Sequence, residues 1–314
     1  MPKRPFRFGV QLRESPDRAG LMETARRAEA LGYSVISIGD HVSNRISPIP
    51  ALTAIAAATS TIRLATVVLC LDFRNPVLAA KDAAALDFLS DGRFELGLGA
   101  GWSLSDYTQL GVAYDPIKVR IERLAEGAPL VKDLLDGKHV DHVGKYYEVR
   151  DVSCYPLPIQ KPHPPILIGG SGSRILHLVG AIADIGSIMG PSVTALSGPG
   201  GFWSQIGDDD VKKRIQWIRE GAGSRFDDME LQLSIRQGLA EITEHRLQRA
   251  DELGQPFGLA GRSLLDSPYA MIGTVDEIAA DLVHRRASLG ISYWTVSDKN
   301  LEEMAPIVAR LAGT

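Results

Sequence analysis

Cysteine is scarce here: Cys70 and Cys154 are the only two in 314 residues. Their spacing makes neither a disulfide framework nor a metal-ligand pair, and a reducing cytoplasm is the simplest expected compartment. No run of about 18 apolar residues marks a membrane span, and the N-terminus MPKRPFRFGV lacks the apolar stretch of a signal peptide. Charge of one sign is also missing. The formal net charge is −4 with acids and bases intermixed, so no basic stripe points to nucleic acid and no acidic tail to a solvating arm. His139, His142, His163, His177, His245 and His284 form no HxH or HExxH arrangement, no GxSxG element is present, and no metal site is expected. What is present is apolar material, 45% of the chain, enough for one large core or two smaller ones.

That material alternates between two periods. Short β-like runs fall at Phe6–Leu12, Val35–Gly39, Leu64–Leu71, Phe94–Leu98, Pro165–Ile168, Ile185–Ile188, Leu231–Leu239 and Ser292–Val296. Val35–Gly39 is continuously apolar, as expected of a strand buried on both faces. Between them lie helix-like segments. Leu21, Ala25, Ala28 and Leu31 share one face before Gly32; Pro50 and Pro76 open the next two helices; a long helix is expected from Lys118 to Leu135. Further helices are expected from Ser173 and over Val211–Ala222, Thr243–Leu253, Val275–Leu289 and Leu301–Leu311. Repeated βα units imply parallel strands with right-handed crossovers. A strand count close to eight favours a closed (β/α)8 TIM barrel over a doubly wound sheet. It is read as one domain over 1–314, with insertions near 103–116, 136–164 and 190–210. The stretch from Pro191 to Gly207 is rich in Gly, Ser and Pro and reads as a surface loop.

A barrel of this type carries its active site at the C-terminal ends of the strands. The second run ends in Gly39-Asp40-His41. There, a histidine can exchange a proton near neutral pH, and Asp40 can orient it, bind a cofactor group or merely cap a turn. The third leads into Asp72-Phe73-Arg74-Asn75-Pro76, where Arg74 either holds an anion or, as arginines more commonly do, caps a helix or makes a salt bridge. The fourth ends in Gly97-Leu98-Gly99-Ala100-Gly101-Trp102, whose glycines admit a ligand or another backbone. It is no Rossmann fingerprint, because the third glycine is missing. The fifth ends in Gly169-Gly170-Ser171-Gly172-Ser173-Arg174 directly before a helix, where free N–H groups make either a phosphate cradle or simply a flexible glycine turn. No Walker lysine follows. Trp203, Trp217 and Trp294 read as packing residues.

These segments, with Ala28-Glu29-Ala30-Leu31-Gly32-Tyr33, Ser90-Asp91-Gly92-Arg93 and Ile272-Gly273-Thr274, resemble the luciferase-like flavin and deazaflavin oxidoreductases. The pattern is most similar to the actinobacterial branch assigned coenzyme F420. The resemblance spans nearly the whole chain and is weakest from Pro191 to Gly207. It implies an F420-dependent reductase or dehydrogenase passing hydride between the deazaflavin and a small organic substrate. The alternatives are a two-component monooxygenase using FMN, with a separate reductase supplying reduced cofactor, and a non-catalytic barrel. It further implies a homodimer, His41 as catalytic acid or base, and Asp40 on the polar edge of the ring. Val67 and Val68 fall where the family often has a non-prolyl cis peptide behind the ring. Ala100, Gly101 and Trp102 would flank the cofactor, and Gly169, Gly170, Ser171, Gly172, Ser173 and Arg174 would hold its phosphate. Some deazaflavin dehydrogenases have a glutamate proton donor where Trp102 stands, which leaves His41 as the evident acid.

Overall fold

A computed structural model describes residues 4–13, 15, 17–43, 46–190 and 205–314. Eight parallel strands close into a barrel: β1 Arg7–Leu12, β2 Val35–Ile38, β3 Arg63–Thr66, β4 Phe94–Gly99, β5 Ile166–Gly170, β6 Ile185–Ile188, β7 Glu230–Ser234 and β8 Ile291–Ser297. Each pairs with the next, and β8 returns to β1 with Gly9 opposite Thr295 and Gln11 opposite Ser297. The helices that follow them in chain order are α1 Arg18–Ala30, α2 Pro48–Ala58, α3 Pro76–Leu89, α4 Leu104–Leu110, α5 Ile117–Leu135, α6 Ser173–Ile182, α7 Asp208–Ala222, α8 Arg246–Gly254, α9 Gly261–Leu265, α10 Val275–Leu289 and α11 Ala305–Leu311.

Local chemistry sets many of the boundaries. Asp17 caps α1 by accepting from the Gly20 N–H, and Gly32 ends the turn after it at φ +82°. Asn75 caps α3 beside Pro76 at its first position. Thr274 and Glu277 form a reciprocal capping box on α10, which Gly290 closes in the left-handed region. Strands β2, β6 and β8 are buried along their whole length. That is the consequence of helices outside the barrel and packed side chains within it.

The interior is layered. At the N-terminal floor, Arg7 and Arg63 converge on the buried Glu95, and Arg7 also reaches Glu230 at 2.5 Å and lies over the Tyr293 ring at 4.6 Å. Above them Val35, Ala65, Leu167 and Ile185 pack with Tyr293. A polar layer follows on the β6–β8 side: Ser187 donates to Gln232 Oε1, and Gln232 Nε2 donates to Ser234 and Thr295. Val67 and Val68 cover the apolar layer and are partly open to solvent. The top of the barrel is therefore the accessible end.

The expected elements differ from the observed ones in four places. The run Leu64–Leu71 is one strand by pattern, but it breaks after Thr66 at a cis Val67–Val68 peptide and resumes at Leu69–Cys70. The run Leu231–Leu239 ends at Ser234, and Ala240–Ile242 pairs with Met271–Gly273 in a separate two-stranded sheet. The last helix begins at Ala305, where Pro306 takes an early helical position, and not at Leu301. The insertion near 103–116 contains α4; the one near 136–164 contains an antiparallel hairpin of Val140–Val143 and Glu148–Val152, in agreement with the short hairpin that Tyr146, Tyr147 and Val149 suggest. Most of the 190–210 insertion, with Trp203, lies outside the described residues. No helix among the described residues is long and apolar enough to cross a membrane.

Candidate active site

His41 follows the end of β2, three-quarters buried, with its Nδ1 2.7 Å from Asp106 Oδ2. Asp106 lies on α4 and is itself buried; its other oxygen accepts the Val42 N–H at 3.2 Å. Burial alone would raise the Asp106 carboxyl. The hydrogen bonds from His41, Val42 and Ser103, with the attraction of a charged His41, outweigh that and hold it below its ordinary value. An ionised Asp106 accepts from Nδ1–H and so directs Nε2 toward the barrel mouth. Nε2 has no hydrogen-bond partner among the described residues. The exposed Trp102 ring meets the imidazole edge-on at 5.6 Å between centroids. Asp106 is the residue that reading the sequence missed. An aspartate 65 positions from His41, in a loop with no legible motif, carries no local signal.

Asp40 does not pair with His41. Its carboxylate accepts the Cys70 N–H at 3.1 Å and binds the Arg74 guanidinium. The two readings left open for Arg74 resolve to a salt bridge, and Asp40 ties the end of β2 to the segment after the cis peptide.

The glycines of β4 have a packing role that the strand pairing explains. A Cβ on Gly97 would strike the Thr66 carbonyl, and one on Gly99 would strike the Val68 side chain. Thr66 Oγ1 completes the junction by accepting from Gly97 N–H at 2.9 Å. Gly97 and Gly99 thus let Val67 and Val68 sit under the barrel mouth. Beyond them, Gly101 adopts φ +70°, and the carbonyls of Ala100 and Gly101 accept from Arg120 of α5. Tyr107 adds support, with its hydroxyl within reach of Ala100 O and donating to Asp72. Burial, then the neighbouring Cys70 and Asp72, keep that phenol well above its usual range, so it remains a neutral donor.

At β5, Gly172 precedes the first turn of α6 without a side-chain cap. The first helical bond runs from Leu176 N–H to Gly172 O, so the N–H groups of Ser173, Arg174 and Ile175 stand ahead of the helical ladder. Beside them lies a feature absent from the motif. Arg214 of α7 is 4% exposed and lies beside the Tyr269 hydroxyl, its Nε faces Ser171 O at 3.4 Å, and its Nη1 is buried with no hydrogen-bond partner among the described residues. A buried guanidinium nitrogen with spare donor capacity, next to an uncapped helix start, fits a phosphate group. The expected cradle of Gly169 to Arg174 thus gains a cation from a helix 40 residues on. These strand ends, β2, β3, β4 and β5, are consecutive in the barrel wall. The positions expected to flank a cofactor ring and to hold a phosphate therefore lie along one continuous arc.

Residues 4–192 match the family model described as luciferase-like monooxygenase. An F420-dependent glucose-6-phosphate dehydrogenase of Microbacterium testaceum is 32% identical over 191 residues, covering 57% of this chain and 55% of that enzyme. One from Nakamurella multipartita is 28% identical over 318 residues, covering 96% and 86%. Among solved structures, the F420-dependent tetrahydromethanopterin reductase of Methanopyrus kandleri superposes with a TM-score of 0.75 at 19% identity, over 98% of this chain and 99% of that one.

Proposed function

The chain belongs to the luciferase-like monooxygenase family, and from that premise we propose that it is a coenzyme F420-dependent oxidoreductase acting on a small organic molecule. The observation that carries the reading is the His41–Asp106 dyad at one end of an arc whose other end is an uncapped helix start beside the buried Arg214. The relatives named F420-dependent dehydrogenases support the choice of cofactor.

When bound, the deazaflavin supplies hydride exchange with a C=C, C=N or C=O bond. In this reading the amides from Gly169 to Arg174, with Arg214, hold its phosphate. Val67 and Val68 support the ring from below, and Ala100, Gly101 and Trp102 line its flank. Asp40 stands at its polar edge, where Arg74 already restrains the carboxylate. His41 holds the proton at Nε2 and delivers it to, or accepts it from, the reacting substrate atom. Asp106 fixes the imidazole tautomer and stabilises its charged form. No glutamate stands at the Trp102 position to share that work.

We further assign the protein to the cytoplasm as a homodimer. The exposed Leu78, Phe88 and Leu89 on α3 supply an apolar face, and light scattering of the purified protein tests this.

A paired anaerobic titration with F420 and FMN, read by tryptophan fluorescence, tests the cofactor. Saturation by F420 at concentrations far below those needed for FMN is the expected result. Preference for FMN would transfer the same site to the monooxygenase reading and make oxygen consumption the diagnostic assay. His41→Ala is expected to lower turnover by about 10²–10⁴-fold while F420 affinity stays within about threefold. Unchanged turnover would sink the catalytic assignment.

A further inference from the structure

Asp106 sits beside His41 on a helix that has little apolar surface to hold it. α4 has seven residues, far fewer than a helix needs to persist alone in water. Leu104 and Leu110 are exposed, and Asp106 and Tyr107 are its only buried residues. Asp106 is turned to His41 and Val42, so the packing that seats α4 falls to Tyr107. The Tyr107 ring meets Phe73 at 4.9 Å and Tyr114 at 5.0 Å, both edge to face. Its hydroxyl donates to Asp72 at 2.8 Å.

One side chain touches every part of this arrangement. Arg120 lies in the first turn of α5 and is 4% exposed. Its Nε donates to Asp115 O at 2.9 Å, and its Nη1 donates to Gly101 O and, at 3.4 Å, to Ala100 O. Gly101 and Asp115 are the two ends of the segment that carries Trp102, α4 and Asp106, so a single guanidinium closes that segment on itself. The guanidinium carbon lies 4.3 Å from the centre of the Tyr114 ring and 5.7 Å from that of Tyr107. Tyr114 extends the restraint by donating to Trp102 O at 3.0 Å. No carboxylate shares this work. Arg123, one turn further along α5, pairs with both Asp72 and Asp115, and Arg120 makes no ion pair among the described residues. A buried guanidinium without a counter-ion is tolerated only where carbonyl oxygens and aromatic faces take the place of water. Lysine carries the same charge, but a single ammonium has no planar fork with which to span two chain ends and stack on a ring.

We propose that Arg120 is a positioning residue for the dyad: it clasps the ends of the 101–115 segment, seats α4 through Tyr107 and Tyr114, and thereby holds Asp106 within hydrogen-bond reach of His41. Its part in turnover rests on the oxidoreductase reading, whereas its effect on the His41–Asp106 contact depends on neither cofactor nor substrate. That contact is 2.7 Å long. A displacement of about 1 Å breaks such a bond, and misplacement on that scale costs about a hundredfold in turnover.

The reporter is the proton on His41 Nδ1. Held by a carboxylate and shielded from water, such a proton resonates far downfield and exchanges slowly, so NMR of the ligand-free protein reads it directly. His41→Gln and Asp106→Ala assign the signal by removing it. Arg120→Lys is expected to abolish the signal or to speed its exchange with water at least about tenfold. Gly180→Ala, which disturbs the packing of α6 on α7 instead, is expected to leave it in place, so a general loss of stability is told apart from a loss of position. An unchanged signal in Arg120→Lys would overturn the proposal, as would its loss in both variants or its absence from the unsubstituted protein. Should Arg120→Lys fail to fold, Tyr114→Leu decides. Tyr114 is 41% exposed, and removing its ring and its bond to Trp102 O is expected to speed the exchange in the same direction; unchanged exchange there counts against the clasp. If the signal responds to Arg120 as expected while His41→Ala leaves turnover unchanged, the catalytic reading falls and the clasp stands.

Discussion

The His41–Asp106 contact concentrates the chemistry of the mouth in one hydrogen bond. Asp106→Asn preserves shape and removes the charge that stabilises a protonated imidazole. Turnover is expected to fall by about tenfold to a hundredfold, the scale at which removal of an orienting group acts, with the KM for F420 unchanged. Asp106→Glu, which keeps the carboxylate, is expected to recover part of that loss. Equal losses in the two variants would indicate a purely structural Asp106. Glu29 shows the same electrostatics away from the site. Partial burial pushes its carboxyl up, but N–H groups of Thr61, Ile62 and Ser60 and the Thr61 hydroxyl pull it down to about 2. Glu29→Gln keeps the size and weakens four hydrogen bonds at the entry to β3. A loss of about 1 kcal/mol in denaturant unfolding is expected, reduced from the buried value because the group is partly solvated.

At the level of elements, glycine decides how closely α6 and α7 approach. A Cβ on Gly180 would strike the Ile218 carbonyl, and one on Gly221 would strike the His177 carbonyl. Backbone cannot yield as a flexible side chain does, so Gly180→Ala is expected to cost about 1–3 kcal/mol. This exceeds the helix-propensity gain of about 1 kcal/mol that the same change gives on an exposed helix. Because α6 carries the proposed cradle and α7 carries Arg214, the same variant is expected to weaken F420 binding as well. A neutral or stabilising Gly180→Ala in thermal unfolding would contradict the close crossing. The alternation of β4 follows the same logic, with Gly97 and Gly99 accommodating Thr66 and Val68.

The whole molecule is expected to be acid-labile in a defined direction. Glu29, Asp106, Glu126 and Glu277 all lie below their ordinary values, each pulled down by hydrogen bonds against its own burial. A carboxyl whose folded value is depressed contributes stability above its unfolded value and loses it as pH falls toward the folded one. The melting temperature is therefore expected to fall progressively below about pH 4.3 and on toward pH 2, with Glu29→Gln flattening the lower part of the curve. On the barrel floor Glu230 has the opposite sign, since burial raises it despite Arg7. Its protonation favours the fold and partly offsets the loss. A melting temperature indifferent to pH between 5 and 3 would remove the assigned role of these hydrogen-bonded carboxylates.

Much of this protein is determined by local sequence. The βα alternation, the caps at Asp17, Asn75 and Thr274, and the strand ends at His41, Trp102 and Gly169 follow from period, turn chemistry and the rule that barrels work at their C-terminal mouths. The family resemblance points to Val67–Val68 as the site of the cis peptide, which the structure contains. Contacts between residues far apart in the chain were decided only by closure of the barrel. Asp106 reaches His41 because α4 folds back over the mouth, and Asp40 turns to Arg74 because β2 and β3 are adjacent. Arg214 arrives under the Ser171 loop because two glycines let α6 and α7 touch. Periodicity is a property of neighbours in sequence, whereas charge pairing is a property of neighbours in space, and only the closed barrel brings the latter together.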